Sequence, residues 1–417
     1  MQNRRNALYV LMILSLLIGL FTGRSRFFTL TYLIAGLMII SLFWAWLSVR
    51  GIALGRSTRT RRSQVGRIFR ESFRVRNVGL LPKLWLEVRD HSDLPGHRAS
   101  HVVPTLFTRG TYSWDVETTC VVRGEFQLGP LTIISGDPFG FFQTPRRINV
   151  TERIIVYPMT VPVNDFILPM GFLSGGDAQR RLTHQITTNA TSVRDYVNGD
   201  SLNRIHWKST ARTGKLMVKE FELDPLVDIW LFNDFSLDSL AEDPTIQRVG
   251  QIGTIIPGSQ TIPPSTEEYG VIVAASLAKY FIESERAVGY AAYTPYRQIY
   301  QPDRGNRQLT RILQTLAIAR SKSTQTIKET LSLETPHFTR GTTLIIITSS
   351  LNIEWITEAQ ILMRRGIRPM CIFIDPSSFE PMSNSDEMRG MLQLAKIPTL
   401  VINKNDDLTN ALEQRPV

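Results

Sequence analysis

Two long apolar stretches open the chain. Asn6 to Thr22 holds no charged residue, and neither does Phe27 to Val49. As helices they would reach roughly 26 Å and 34 Å, close to a hydrocarbon thickness of about 30 Å. Gly23-Arg24-Ser25-Arg26 separates them, so residues 1–50 read as a two-helix transmembrane hairpin. Trp44 and Trp46 lie near the second exit, as interfacial anchors do. A cleaved signal peptide is the competing reading of the first stretch. It lacks a small-residue cleavage site, and a second apolar stretch follows at once.

The period then changes. Phe69 to Val75 and Leu84 to Val88 alternate apolar with polar, and Tyr112 to Val122 forms a longer extended run. Turn signals such as Asn77-Val78-Gly79, Leu94-Pro95-Gly96 and Arg123-Gly124 divide them. Residues 66–158 are therefore predicted to form a small antiparallel β-sandwich. Asp137-Pro138-Phe139-Gly140 reads as a turn. Residues 159–190 form a connector rich in Pro, Gly and Thr, and 191–223 a segment joining the domains.

From Leu226 onward apolar runs alternate with helical patterns. Val227–Phe232, Ala287–Tyr293, Leu344–Ile347, Met370–Ile374 and Thr399–Ile402 suit a sheet covered on both faces. Glu267–Arg286, Asn306–Arg320, Ile353–Arg365 and Asp386–Ala395 carry helical spacing. Residues 224–417 thus read as an α/β domain of doubly wound type. Ser236 to Thr266 interrupts it as a long insertion rich in Gly, Pro, Ser and Thr.

Charge sharpens the picture. The net charge of +10 suggests nucleic acid at first sight, but residues 1–70 hold eleven arginines and no Lys, Asp or Glu, so the rest is close to neutral. Two arginines precede the hairpin, two lie in its loop and seven follow between Arg50 and Arg70. That is a membrane pattern rather than a nucleic-acid face, and it puts both termini of a multi-pass protein in the cytoplasm. The two cysteines, Cys120 and Cys371, form neither a disulfide framework nor a zinc pattern.

One stretch, Arg194 to Glu222, concentrates both charges with Tyr196 and Trp207. Asn198-Gly199 is a turn pair. Asp200 stands where it can cap a short helix, with Leu202, Ile205 and Ser209 at helical spacing. Thr213-Gly214 ends that helix and Lys215 to Leu223 alternates like a strand. Two readings stand: a polar docking site, or a latch in which arginine forks hold carboxylates and backbone across a domain junction. The lack of a nucleophile paired with a base favours the latch. On that reading Asp200→Ala removes a cap and Trp207→Ala, if buried, costs more.

These residues also carry a resemblance. Arg194-x-Tyr196-x-x-Gly199-Asp200, Ile205-x-Trp207, Ala211-Arg212, Leu216-x-Val218-Lys219 and Glu222 resemble the signature of the bacterial domain-of-unknown-function family number fifty-eight. Arg123-Gly124-Glu125-Phe126-x-Leu128-Gly129-Pro130 and Asp137-Pro138-Phe139-Gly140 resemble the strand and turn closing its β-region. The resemblance implies a membrane-anchored protein whose α/β domain is von Willebrand factor A-like, linked to a MoxR-type AAA+ ATPase.

There is no P-loop, G-x-S-x-G or G-x-G-x-x-G, so no nucleotide is expected to bind directly. Asp234-Phe235-Ser236-Leu237-Asp238 falls where the first α/β strand ends, the place where open sheets bind ligands. It resembles D-x-S-x-S, the metal-ion-dependent adhesion site of von Willebrand factor A domains, with Asp238 in place of the last Ser. Thr348-Ser349-Ser350 stands where that family presents an Asp, and Thr294 is a candidate loop hydroxyl. Asp234, Ser236 and Asp238 could hold Mg²⁺, weakly, because few carboxylates are present. His91, His97 and His101 lie among prolines and glycine, as loop residues rather than metal ligands. The expected function is a membrane scaffold or adaptor, not an enzyme. The rival is a metal-assisted hydrolase using the Asp234 and Asp200 regions.

Overall fold

The computed structural model describes residues 2–168, 190–197, 205–221, 228–243, 263–380 and 384–416. They divide into two compact units, one built on the residues up to Met159 and the other on most of those from Thr160 on.

The first unit begins with helices α1 (Gln2–Thr22) and α2 (Ser25–Ser48), both long and apolar enough to cross a membrane. Most of their large apolar side chains are exposed. Strands β1 (Ile52–Thr58), β2 (Arg62–Gln64), β3 (Ile68–Asn77), β4 (Leu86–Asp90), β5 (His101–Val103) and β6 (Thr111–Thr119) follow. Then come β7 (Gly124–Leu128), β8 (Leu131–Gly136), β9 (Gln143–Ile148) and β10 (Glu152–Tyr157). They form three sheets, ordered β1-β3-β6, β5-β4-β8-β9 and β2-β10-β7. Strand β3 alternates exposed and buried along its whole length, the signature of one covered face. Its Phe73 and Val75 share a core with Leu86, Val88, Leu131 and Ile133, so the first two sheets bury their apolar faces together. The β region starts at Ile52, earlier than the predicted Gly66, because polar positions in β1 and β2 hide the alternation.

Inside this unit lies a buried ionic cluster. Arg56 on β1 faces Glu71 on β3 at 3.3 Å and Asp90 on β4 at 2.9 Å. His97 Nε2 sits 3.1 Å from both carboxylates, and its Nδ1 is 2.8 Å from the Thr118 hydroxyl. Burial alone would push the His97 imidazole down, but bonds and charge from Asp90 and Glu71 raise it to about 9. The cluster ties β1 and β3 of one sheet to β4 of the next. Two cations against two anions leave it neutral when His97 is protonated.

The second unit contains β11 (Ala190–Asp195), α3 (Trp207–Thr213) and β12 (Met217–Phe221), with β11 and β12 paired antiparallel. Its main sheet uses β13 (Ile229–Asn233), β14 (Val288–Tyr293), β15 (Arg297–Asp303), β16 (Thr343–Thr348), β17 (Arg368–Ile374) and β18 (Thr399–Ile402). Helices α4 (Thr266–Glu283), α5 (Asn306–Ile318), α6 (Ile327–Glu334), α7 (Glu354–Arg364), α8 (Asp386–Leu394) and α9 (Leu408–Leu412) connect the strands. The order is β15-β14-β13-β16-β17-β18, parallel except for β15, which returns antiparallel beside β14. Numbered within the sheet this is 3-2-1-4-5-6, a doubly wound order that reverses between β13 and β16. Strands β13, β14 and β16 are buried throughout, which accounts for their unbroken apolar runs. The sequence pattern missed β15, a half-exposed edge strand carrying Arg297, Gln298, Gln301 and Pro302. It also missed the short helix α6, closed at its start by a Thr326–Glu329 capping box.

Candidate functional site

The reversal between β13 and β16 leaves a crevice beyond the carboxyl ends of the strands, and Asp234 stands in it. Its backbone N–H still donates to Ile347 O at 3.0 Å, extending the β13–β16 ladder by one bond. Its Oδ1 accepts from the Ser236 N–H at 2.9 Å and the Ser236 hydroxyl at 2.6 Å. Its Oδ2 accepts from the Thr348 hydroxyl at 2.7 Å. Burial pushes the Asp234 carboxyl up. The Ser236 and Thr348 bonds oppose this, the charge of Asp238 adds to it, and the net direction is up.

Hydroxyls ring this carboxyl. Ser236 makes an isolated parallel bridge with Ser323, which brings the loop after α5 against the strand end. The Ser239 hydroxyl donates to Ser236 O, and Ser349 donates to Ser239 O. Thr266, at the start of α4, also donates to Ser239 O at 3.0 Å. Glu267 accepts from the Ser321 N–H at 2.5 Å. Asn233, Thr266, Glu267, Ser321, Thr348 and Ser349 line a small recess at this point together with Asp234. The described ends of the 236–266 insertion therefore belong to the site: Ser236, Ser239 and Thr266 are all buried in it.

Of the residues expected to hold metal, Asp234 and Ser236 are brought together, while Asp238 is exposed in the one-turn 3-10 helix Leu237–Ser239. Thr294 lies in the β14–β15 hairpin turn and does not line the recess. Among the described residues no group of three or more His, Cys, Asp or Glu could hold a metal ion. One carboxylate with hard hydroxyl oxygens suits Mg²⁺ in kind. Both carboxylate oxygens are already engaged by protein hydroxyls, however, so a cation would have to displace one of these bonds.

Sequence reasoning missed a second turn of the same build. Asp375 follows β17, and its Oδ1 accepts from the Ser377 N–H at 3.0 Å and hydroxyl at 2.7 Å. Burial pushes this carboxyl up too, but bonds from Ser377 and Ser385 and the Arg389 guanidinium outweigh it, and the net direction is down. The shared spacing D-x-S in Asp375-Pro376-Ser377 was the signal available. Only Asp375 has a cation on its free oxygen, through Arg389.

The signature stretch has its own geometry. Helix α3 begins at Trp207, capped by His206, whose Nδ1 accepts from the Ser209 N–H at 3.3 Å. It ends at Gly214, in the left-handed region at φ 69°. Ile205 is not helical, as its spacing suggested, but forms a bridge to Val218 and is buried with it. The predicted cap Asp200, with Gly199 and Glu222, lies outside the described residues. Arg194 pairs in register with Val218, and Val193 with Lys219. Tyr196 donates its backbone N–H to Leu216 O at 2.9 Å. Helix α3 has no buried residue, and Trp207 is 69% exposed, with Ala211 and Arg212 exposed beside it. The buried Trp207 that the latch reading allowed is therefore corrected: a seven-residue helix between two pairing segments covers no core of its own.

Comparison with known proteins adds little chemistry. An uncharacterized protein, YeaD, from Bacillus subtilis (strain 168) is 24% identical over 225 residues, 54% of this chain and 50% of the relative. The chain thus spans about half the length of that relative. The CARDB domain of the PF1109 protein from Pyrococcus furiosus is 14% identical, with a TM-score of 0.20 over 25% of this chain and 86% of that one. The pilus adhesin SpaC from Lactobacillus rhamnosus GG is 12% identical, with a TM-score of 0.30 over 45% of this chain and 29% of that one. Likenesses at that level carry no argument. Residues 192–243, which run from β11 through α3 and β12 to the Asp234 turn, match the family model described as protein of unknown function DUF58.

Proposed function

We propose that this chain is a membrane-anchored scaffold that presents a von Willebrand factor A-like domain to a protein partner in the cytoplasm. The observation that carries the reading is Trp207. A large aromatic side chain held 69% exposed on a helix that buries nothing has no role in the core. Trp and Arg are the residue types enriched among those that anchor protein interfaces. Arg212 is exposed on the same helix.

Three further features agree. α1 and α2 have the length and apolarity of spans, and the arginines flanking them favour a cytoplasmic body with both termini inside. The β unit has the shared core of a sandwich. The 3-2-1-4-5-6 order, with an Asp-x-Ser turn at its reversal, suits an A-like domain. The partner class, a MoxR-type AAA+ ATPase, rests on the signature resemblance. Mg²⁺ at Asp234 would be an accessory to docking, bound weakly. The metal-assisted hydrolase is the poorer reading, because both Asp234 carboxylate oxygens are already held by protein hydroxyls and Asp238 is exposed rather than joined to them.

The test is affinity purification of the full chain from its native membrane, with mass spectrometry of what accompanies it. An AAA+ ATPase retained by the native chain and lost with Trp207→Ala supports the proposal. Unchanged capture by that variant overturns the docking role of α3.

A further inference from the structure

The end of the β unit nearest α2 exposes a group of apolar side chains on three separate loops. Val78 and Leu80, between β3 and β4, are 58% and 90% exposed. Phe107, between β5 and β6, is 73% exposed, and Phe139, between β8 and β9, is 50% exposed.

These loops are fastened to the helix exit. The Val78 and Gly79 N–H groups donate to Gly51 O at 2.7 and 3.0 Å. Lys83 Nζ donates to Leu47 O at 2.9 Å, and an Arg146 guanidinium nitrogen to Val49 O at 3.1 Å. Asn77 Nδ2 donates to the carbonyls of Leu81, Leu106 and Phe107, binding the first loop to the second. Leu86 pairs with Ser135, so the β8–β9 hairpin closes at the same end. Its turn is rigid: the Asp137 carboxylate accepts from the Phe139 and Phe142 N–H groups at 3.0 and 2.6 Å. Phe139 stacks on Phe141 at 5.7 Å between centroids. Asp137-Pro138-Phe139-Gly140 is thus a turn built to hold a phenyl ring outward.

We infer that this rim docks on the bilayer around α2, with Leu80, Phe107 and Phe139 entering the headgroup region of an anionic membrane. The inference rests on reading α1 and α2 as spans. Continuity with α2 selects the occupant, since the loops begin where the helix would leave the lipid. There Arg50 lies over the Trp46 ring, 3.5 Å from its centroid, an arrangement suited to the interface. Exposed arginines at this end, Arg50, Arg109 and Arg146, match anionic headgroups. Amphipathic docking of this kind needs both the apolar area and the basic fringe. Its effect would be to add lipid contacts to the hydrogen bonds that already fasten the β unit to the exit of α2.

The full chain, reconstituted in nanodiscs of phosphatidylethanolamine and phosphatidylglycerol with nitroxide-labelled acyl chains, tests this. An environment-sensitive fluorophore is placed in turn on Leu80→Cys, Phe107→Cys and Phe139→Cys. Leu42→Cys on α2 and Arg98→Cys at the far end of the β unit are the controls. The native Cys120 and Cys371 are buried. We expect labels at 80, 107 and 139 to be quenched by the lipid nitroxide, together with 42, while 98 stays bright. The 139 label should lose its quenching in Leu80→Glu/Phe107→Glu while 42 keeps its own. If 42 is quenched but 80, 107 and 139 match 98, docking is overturned and the anchor stands. Protection of those three sites only in native membranes would point to a protein cover and overturn the lipid assignment. If 42 is not quenched either, the span reading fails and this inference falls with it.

Discussion

Thr348 donates its hydroxyl to Asp234 across the seam where the order of the main sheet reverses, at 2.7 Å. The bond joins the ends of β13 and β16 through side chains just where the backbone ladder runs out. Thr348→Val keeps the shape and removes the donor, leaving a buried carboxylate oxygen without that partner. The variant should be less stable by about 1–3 kcal/mol, read as a lower urea midpoint with unchanged slope.

Asp234 itself should behave in the opposite sense at neutral pH. Its folded carboxyl is raised above the ordinary value of 3.8. A raised carboxyl favours the fold while protonated, so its contribution declines as the pH climbs from that value through the folded one. Asp234→Asn removes the cost of the buried charge and should be at least as stable as the native chain at pH 7, with a flatter stability–pH curve. If that more stable variant also loses its partner, the carboxylate is kept for function. A variant much less stable at pH 7 would show that the ionised form is well solvated.

His97 sets a second pH dependence. Its folded value of about 9 lies above the ordinary histidine value of 6.5. The stabilisation is therefore complete below the unfolded value and is lost as the pH climbs through the folded one. Removing one partner of a buried charge cluster costs about 3–5 kcal/mol, and His97→Ala should fall in that range. Hydrogen exchange at the amides of β3 and β4 should quicken between neutral pH and pH 9 in the native chain beyond the intrinsic rise. No such pH-linked change is expected in the variant.

The exit from α2 depends on two glycines. Gly51 has φ +65°, and a Cβ there would lie 2.8 Å from the Gly79 Cα. Gly51→Ala combines backbone strain of about 1–3 kcal/mol with that clash. It should detach the Val78 and Gly79 N–H groups from Gly51 O. Faster proteolysis within residues 77–84 in detergent would report it, whereas Gly140→Ala, strained at φ +74° but with an added Cβ that meets nothing within 4 Å, should leave that region protected.

What was legible in the sequence followed from burial on one or both faces. The unbroken apolar runs of β13, β16 and β17 and the alternation of β3 could be read because a covered face imposes a period. Strand β15 could not, since an edge strand with one polar flank imposes none. Asp234 and Ser236 were visible as a motif, but Ser323 and Glu267 reach the site only through the fold, from separate segments. Likewise His97 looked like a loop histidine among prolines. Its partners Arg56, Glu71 and Asp90 come from three strands that no local spacing connects.

Trp207 decides between the two readings of the signature stretch. A latch would bury the indole, and its loss would cost several kcal/mol; at 69% exposure there is little packing to lose. Trp207→Ala should change the unfolding free energy by less than about 0.5 kcal/mol, with the β11–β12 pairing intact in hydrogen exchange. As an interface anchor, the same truncation should weaken partner binding by about 2 kcal/mol or more, close to thirtyfold in Kd. The neighbouring Arg212→Ala should weaken binding most at low salt and leave the remaining binding less salt-dependent, because its contribution is charge. The contrast lies within one pair of measurements on each variant: a urea titration that barely moves and a binding isotherm that moves far. Should the titration shift and the isotherm stay, Trp207 is packed in solution and α3 serves the fold rather than the partner.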